Sequence, residues 1–179
     1  MKRHATLLVL SVLLLATAGL AQTPLKVAVV NSQRAFELSA EGKRIAAQLQ
    51  ERDAKIKSDL QKMDDAIRAL ETRLNTQRLT LTQEAGIQLQ SEIDRKTTDR
   101  KRAEEDGGRE WQQLQVNLIT KMRGDMVVLI EGIAKEKGYD LVLDLAASGT
   151  VYFNPAIEIT DEVVRRYDTS KATAAPVKK

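Results

Sequence analysis

The sequence predicts an α+β fold in which a long antiparallel helical hairpin, a coiled-coil arm, projects from a small β body. Three observations support this prediction. Apolar residues recur with heptad spacing through the middle of the chain, β-branched segments lie near both ends, and aromatic residues make up only 3% of the 179 residues. Compact cores usually rely on Phe, Tyr and Trp because each buries a large area. This composition therefore favours long helices with a narrow buried stripe.

Residues 1–21 have the features of a secretory signal peptide. Lys2 and Arg3 precede an apolar stretch at 7–15, and small residues follow up to Ala21. The apolar stretch is short for a bilayer span, so an uncleaved anchor helix is the less favoured alternative. Cleavage after Ala21 would give an exported, soluble chain with 26 Lys and Arg residues against 25 Asp and Glu, so that the net charge falls from +3 to about +1.

The composition also excludes several common kinds of active site. The chain has no Cys, and its single His, His4, lies in the predicted signal peptide. The processed chain would therefore lack the residues for Ser-His-Asp or Cys-His catalysis and for the common zinc sites. We expect a protein that is not an enzyme and that uses no metal, ATP or other cofactor.

The first long helix is predicted from an apolar stripe. Spacings of three and four residues continue over five heptads, which is typical of a coiled-coil seam. No Pro occurs between Pro24 and Pro155, so very long helices are permitted. The stripe consists of Ala46, Leu49, Ile56, Leu60, Met63, Ile67, Leu70, Leu74 and Leu81.

The heptad pattern breaks near residue 80, where we predict the turn of the hairpin. The segment from Thr80 to Gln83 has the spacing of a helix capping box, with Thr80 as the cap. A second helix is expected to run to about Lys137, where Gly138 supplies a stop signal. Because the capping chemistry is weak, one unbroken helix through residues 80–84 stays open as an alternative.

A turn centred on residue 81 would place residue i opposite residue 162 − i. The stretch 94–110 would then face the apolar stripe, although it carries 12 charged residues, six of each sign, and Ala103 as its only apolar side chain. Arg and Lys stems cover the stripe in the commoner arrangement, and in the alternative part of it stays available to an apolar guest. Gly107 and Gly108 each cost a helix about 1 kcal/mol relative to Ala. They predict a hinge, or otherwise a tolerated weak point.

The β body is predicted from the two ends of the chain. Three short strands are expected at Leu25–Val30, Leu141–Asp144 and Thr150–Phe153. Thr160 should cap a short helix that turns Val163, Val164 and Tyr167 inward. The predicted organisation is a body of residues 22–40 and 120–168, an arm of residues 41–119 and a disordered tail of residues 169–179.

Such a small body would leave strand edges exposed and be marginally stable alone. Self-association that completes the sheet solves both problems, so we expect a homo-oligomer. The residues predicted to form its interface are Val27, Val29, Leu141, Leu143, Val151 and Phe153.

The chain also resembles a known family. The segments that carry the resemblance are VAVVNSQRAF (27–36), SAEGK (39–43), YDLVLD (139–144), VYFNP (151–155) and ITDEV (159–163). In this order around a charged helical hairpin, they resemble the Skp/OmpH family of periplasmic chaperones over about residues 25–168.

The resemblance implies a homotrimer whose β body holds three arms around a cavity. It implies a periplasmic holdase that encloses unfolded outer-membrane proteins without ATP and prevents their aggregation on the way to the outer membrane. The corresponding binding surface is diffuse, and we place it on the arm stripe at Ile56, Leu60, Met63, Ile67, Leu70 and Leu74.

The arms depart from the strongly basic arms that are common in this family. Residues 41–79 hold nine positive and seven negative charges, and residues 83–138 hold ten and eleven. An anionic membrane lipid surface is therefore a weaker expected partner than an apolar client. A structural coiled-coil spacer of the cell envelope is the alternative function. Nucleic-acid binding is not expected, because such proteins usually carry a clustered basic face.

Overall fold

The computed structural model describes residues 24–174, so the predicted signal peptide and residues 175–179 of the predicted tail lie outside the described part. The described chain is mostly helical, with long helices and one small sheet, as the predicted α+β class requires. In chain order the elements are β1 (Val27–Val30), α1 (Ser32–Leu38), α2 (Ala40–Gln77), α3 (Gln83–Lys137), β2 (Leu141–Asp144), a 3₁₀ helix (Pro155–Ile157) and α4 (Thr160–Ala174).

The predicted helical hairpin is confirmed, and the unbroken helix is excluded because the chain turns between Gln77 and Gln83. The predicted cap is wrong by two residues. Thr82 caps α3, since its hydroxyl oxygen accepts a hydrogen bond from the backbone N–H of Ala85 at 3.3 Å. The Thr80 hydroxyl instead donates to the carbonyl of Gln77 and closes the end of α2.

The hairpin is long because nothing in its sequence stops either helix early. α2 has 38 residues and α3 has 55, which gives lengths of about 57 and 82 Å at 1.5 Å per residue. α3 ends at Gly138, as predicted. This glycine has a left-handed φ of 66°, and its N–H points to the carbonyls of Ala134 and Lys135.

The sheet has two parallel strands, because the hairpin lies between them in the chain and serves as the crossover. Val27 pairs with Leu141, and the register continues to Val30 and Asp144. On the opposite edge of β1, Val29 forms an isolated bridge with Glu158. The outer edge of β2 pairs with no strand in the part of the chain that the structure describes.

The third strand predicted at Thr150–Phe153 is wrong for the single chain. Those residues have no regular secondary structure, and Val151 is 100% exposed. The reason is topological. After β2 the chain crosses to the far edge of β1, where Glu158 bridges, and so does not run back along β2.

The core lies where the base of the hairpin meets the sheet and α4. One cluster consists of Ala28, Val30, Ile133, Ile159 and Val163. A second consists of Ala35, Ile45, Met122, Met126 and Tyr167, with Leu49 and Leu118 packed against it. Met122 and Met126 are therefore buried in the body core. The apolar packing reaches Ile45 and Leu49, which lie beyond the predicted body boundary at residue 40.

Helix α4 turns Val163 and Tyr167 inward, as predicted, but two details differ. Thr160 does not act as the predicted cap. Its hydroxyl donates to Glu158 at 2.7 Å and accepts from the N–H of Asn31 at 2.9 Å, which ties α4 to the end of β1. The tail predicted to be disordered from residue 169 is helical as far as Ala174.

Candidate functional site

The arm seam is the row of contacts between α2 and α3. On the α2 side, the predicted client-binding residues line this seam: Ile56, Leu60, Ile67, Leu70 and Leu74 are half-buried, and Met63 is 37% exposed. On the α3 side, Leu89 and Ile93 are buried near the turn, and Lys96, Arg100, Ala103 and Gly107 follow at helical spacing with partial or full burial.

A charged pair crosses the outer half of the seam. Nε of Arg100 donates to one carboxylate oxygen of Asp64 at 2.8 Å, and Nη2 lies 3.3 Å from the other oxygen. Arg100 also pairs with Glu104 one turn along α3. The hydrogen bond to Asp64 is the largest contribution that raises the pKa of Arg100. A charged side chain therefore lies in the seam at this level, and whether Arg and Lys stems cover the stripe stays a prediction.

The two helices approach each other closely at Gly107. A Cβ atom at this position would lie 3.0 Å from Cγ2 of Ile56, whereas one at Gly108 would meet no atom within 4 Å. One turn further, Nε1 of Trp111 donates to the carbonyl of Leu49 at 3.2 Å. Gly107 is thus a packing position that lets α2 and α3 come together.

The hinge predicted at Gly107 and Gly108 stays a prediction. α3 is a single continuous helix through both residues. The ion pair between Arg52 and Glu110 holds the helices together beside them. An ion pair between α2 and α3 therefore joins the inner part of the arm, as the pair of Arg100 with Asp64 joins the outer part.

The tip of the hairpin exposes apolar side chains that the sequence analysis missed. Leu79 is 98% exposed and Ile87 is 63% exposed. Both fall outside the heptad stripe, so periodicity alone did not single them out. Together with Met63, they are the large apolar residues of the outer arm that reach solvent most openly.

A second apolar surface lies on the body, and we call it the body groove. It is an open cavity of about 670 Å³ bounded by α1, α3 and β2. Its apolar lining includes Phe36, Ile119, Val127, Ile130, Leu141 and Val142. Ile119, Val127 and Ile130 recur at helical spacing in α3, and this spacing is the sequence signal for that wall of the groove.

The residues predicted for the oligomer interface lie at different depths. Val29 is buried in the sheet, and Val27, Leu143 and Phe153 are half-buried. Leu141 is 43% exposed, at the rim of the body groove. The single chain therefore does not gather all six residues into one patch.

Two kinds of feature are absent from the described residues. Across residues 24–174, no group of three or more His, Cys, Asp or Glu side chains could hold a metal ion. In the same range, no helix is both long and apolar enough to cross a membrane. The described chain presents a long two-helix arm and two exposed apolar surfaces, at the tip and on the body.

A model of the family described as outer membrane protein (OmpH-like) matches residues 26–167. The chain belongs to the OmpH-like family. The resemblance seen in the sequence is thereby confirmed.

The solved structure of another protein has a similar fold. A candidate outer membrane chaperone (OmpH-like) from Caulobacter crescentus CB15 superposes with a TM-score of 0.76 at 22% sequence identity, covering 86% of this chain and 89% of its own. No curated protein gives a significant match. The family and the fold are therefore shown by independent comparisons.

Proposed function

We propose that this OmpH-like protein is an ATP-independent holdase chaperone. It would act in the periplasm as a homotrimer, bind unfolded outer-membrane proteins between its arms and prevent their aggregation. The observation that carries the proposal is the arm itself: α2 and α3 extend 38 and 55 residues, and the body core reaches along them only to Leu49 and Leu118. The chaperone description of the Caulobacter neighbour supports the same class of function.

The proposed client surface is the α2 side of the seam, from Ile56 to Leu74. Apart from Met63, which is exposed, these side chains are half-buried in the closed arm, so a client must partly separate α2 from α3 to reach them fully. Opposite some of them, Arg100 is charged, and Gly107 has no side chain that could lose contacts when the helices separate. Near the turn, the buried Leu89 and Ile93 also face the stripe, so opening the seam there gives up apolar burial. At the level of Arg100 and Gly107 it gives up less, and segments with few buried apolar contacts open at low free-energy cost.

Charge plays a small part in this mechanism. The two arm segments together carry a net charge of about +1, and many ion pairs join neighbouring turns of one helix. Asp59 is an example, since Lys62 and Lys55 both donate to it and lower its pKa. We therefore expect client capture to depend weakly on salt, and an anionic lipid surface to be a secondary partner.

The aggregation test uses an outer-membrane β-barrel protein diluted from urea. The holdase should lower the light scattering of the client in proportion to the amount of chaperone added. Equal scattering with and without the protein, at every ratio, would refute the proposal. A matched amount of an unrelated helical protein controls for crowding.

A reversible lock tests whether the seam must open. A Cβ at Gly107 would lie 3.0 Å from Cγ2 of Ile56, so a cysteine pair at these two positions is a suitable trial disulfide, and the natural chain has no Cys. In the double variant Ile56→Cys/Gly107→Cys, oxidation should reduce client capture and reduction should restore it. The wild-type protein controls for the reductant, because it has no thiol to respond.

A structural spacer of the cell envelope is the second candidate function. The continuity of α3 through Gly107 and Gly108 favours it, because a spacer needs stiff arms. A spacer would leave client aggregation unchanged, so the same scattering experiment separates the two functions.

A further inference from the structure

We propose that α4 is a clasp that keeps the bases of α2 and α3 together, so that the seam opens for a client only beyond the base of the arm. We define the base as the level of Ile45 on α2 and Met122 on α3, where the second core cluster lies. The inference rests on the holdase proposal and adds a limit to how far the arm opens. The clasp itself is measured on the protein without a client, so that its failure and the failure of the holdase proposal can be told apart.

Helix α4 runs antiparallel to the end of α3 and is fastened to it at two levels. Arg166 donates two hydrogen bonds to the carboxylate of Glu136, at 2.6 and 2.9 Å. Five residues further along α4, Lys171 pairs with Asp125, about three turns earlier in α3. Both side chains of this second pair are 39% exposed. The last turns of α4 are therefore held along α3 as far as the base of the arm.

The same turns of α4 also hold the start of α2. Asp168 accepts a hydrogen bond at 3.0 Å from the backbone N–H of Ala40, which is the first residue of α2. Its neighbour Tyr167 is 2% exposed and packs in one cluster with Ile45 of α2 and Met122 of α3. A single turn of α4 therefore contacts both arm helices, and α2 cannot leave α3 at the base without also leaving α4.

The middle of the arm is packed less deeply than the base. The body core reaches along the arm only to Leu49 and Leu118. The next stripe residues, Ile56 and Leu60, are half-buried, whereas Ile45 at the base is 1% exposed. Segments with few buried apolar contacts open at low free-energy cost, and core segments open at a cost close to that of global unfolding. Separation of α2 from α3 therefore stops at the base, where it would also break the contacts of α4.

Hydrogen exchange followed by mass spectrometry tests the clasp in the intact protein. After correction for intrinsic rates, the backbone amides of residues 43–52 should exchange more slowly than those of residues 56–67. Lys171→Ala and Asp168→Ala should each speed exchange in residues 43–52 by about two- to five-fold, because single partly exposed polar contacts add modest stability. Exchange in residues 56–67 should stay at the wild-type rate. The control Arg165→Ala removes the same charge as Lys171→Ala from an exposed side chain of α4 that makes no ion pair within residues 24–174, and it should leave both segments unchanged.

Unchanged exchange of residues 43–52 in either clasp variant would overturn the inference, as would an equal acceleration in Arg165→Ala. Circular dichroism checks that the helix content of each variant is that of the wild type. With an unfolded outer-membrane β-barrel protein bound, exchange should change in residues 56–67 and keep its protection in residues 43–52. A protein that suppresses aggregation but loses this protection refutes the limit on opening and leaves the holdase proposal standing. A protein that shows the clasp effects but does not suppress aggregation refutes the holdase proposal and leaves the clasp standing.

Discussion

Replacing Gly107 or Gly108 by Ala should have different effects on stability, although the residues are adjacent in one helix. Ala is favoured over Gly in a helix interior by about 1 kcal/mol. A Cβ at Gly108 meets nothing within 4 Å, so Gly108→Ala should raise the free energy of unfolding by about 1 kcal/mol. A Cβ at Gly107 would lie 3.0 Å from Ile56, and overpacking costs about 1–3 kcal/mol. Gly107→Ala should therefore gain nothing or lose up to about 2 kcal/mol.

Urea unfolding followed by circular dichroism measures these differences, at one fixed protomer concentration because the protein is expected to be oligomeric. The Ile56→Ala background provides the control, since it removes the atom that a new Cβ at Gly107 would crowd. In that background Gly107→Ala should stabilise by about 1 kcal/mol, like Gly108→Ala. Equal stabilisation by the two substitutions in the wild-type background would refute the close approach of α2 and α3 at Gly107.

Three further predictions concern the body and the arm base. Lys137 donates to Glu162 at 2.6 Å and holds the pKa of this carboxyl below its usual 4.5. The ion pair therefore stabilises the fold above pH 4.5, and this stabilisation is lost as the Glu162 carboxyl becomes protonated in acid. The melting temperature of Glu162→Gln should accordingly fall less than that of the wild type between neutral and strongly acidic pH, and an equal fall would contradict this. Gly138→Ala should lower the free energy of unfolding in urea by about 1–2 kcal/mol, because a Cβ is disfavoured at its φ of 66°; no loss would argue against the left-handed cap. Trp111→Phe should lower the same quantity by about 1 kcal/mol, since it removes the hydrogen bond to Leu49, and an unchanged urea midpoint would show that this bond adds no stability.

The hairpin was predictable because its signals are local. Heptad spacing and the absence of Pro define long helices, and Gly138 marks the end of one of them. Local signals were ambiguous at the turn, where both Thr80 and Thr82 are suitable helix caps. The cap of α3 is Thr82. Local signals were misleading beyond Asp168. There the polar sequence suggested disorder, whereas an ion pair between Lys171 and Asp125 fastens the last turns of α4 to α3.

The candidate site was predictable only on the α2 side. Periodicity identifies the stripe, but what faces it depends on the register between two helices. Arg100 meets Asp64 and Gly107 meets Ile56, so the positions sum to 164 and 163 where the predicted turn gave 162. A shift of one or two residues changes which side chain covers the stripe.

The body groove was harder to predict, because its walls come from three distant segments. Phe36, Val127 and Leu141 are brought together only by the parallel pairing of β1 with β2. The third strand failed for a related reason. The residues at Thr150–Phe153 do favour a strand, but within residues 24–174 this segment pairs with no strand edge.

The central claim is that this OmpH-like protein captures an unfolded client within one assembly of its own copies. The most direct test is the mass of the complex, measured by light scattering after an unfolded outer-membrane β-barrel protein is diluted from urea into an excess of the chaperone. The account predicts a soluble complex with the mass of three copies and one client. A client that aggregates to the same extent with and without the protein, while the protein elutes alone, would contradict it.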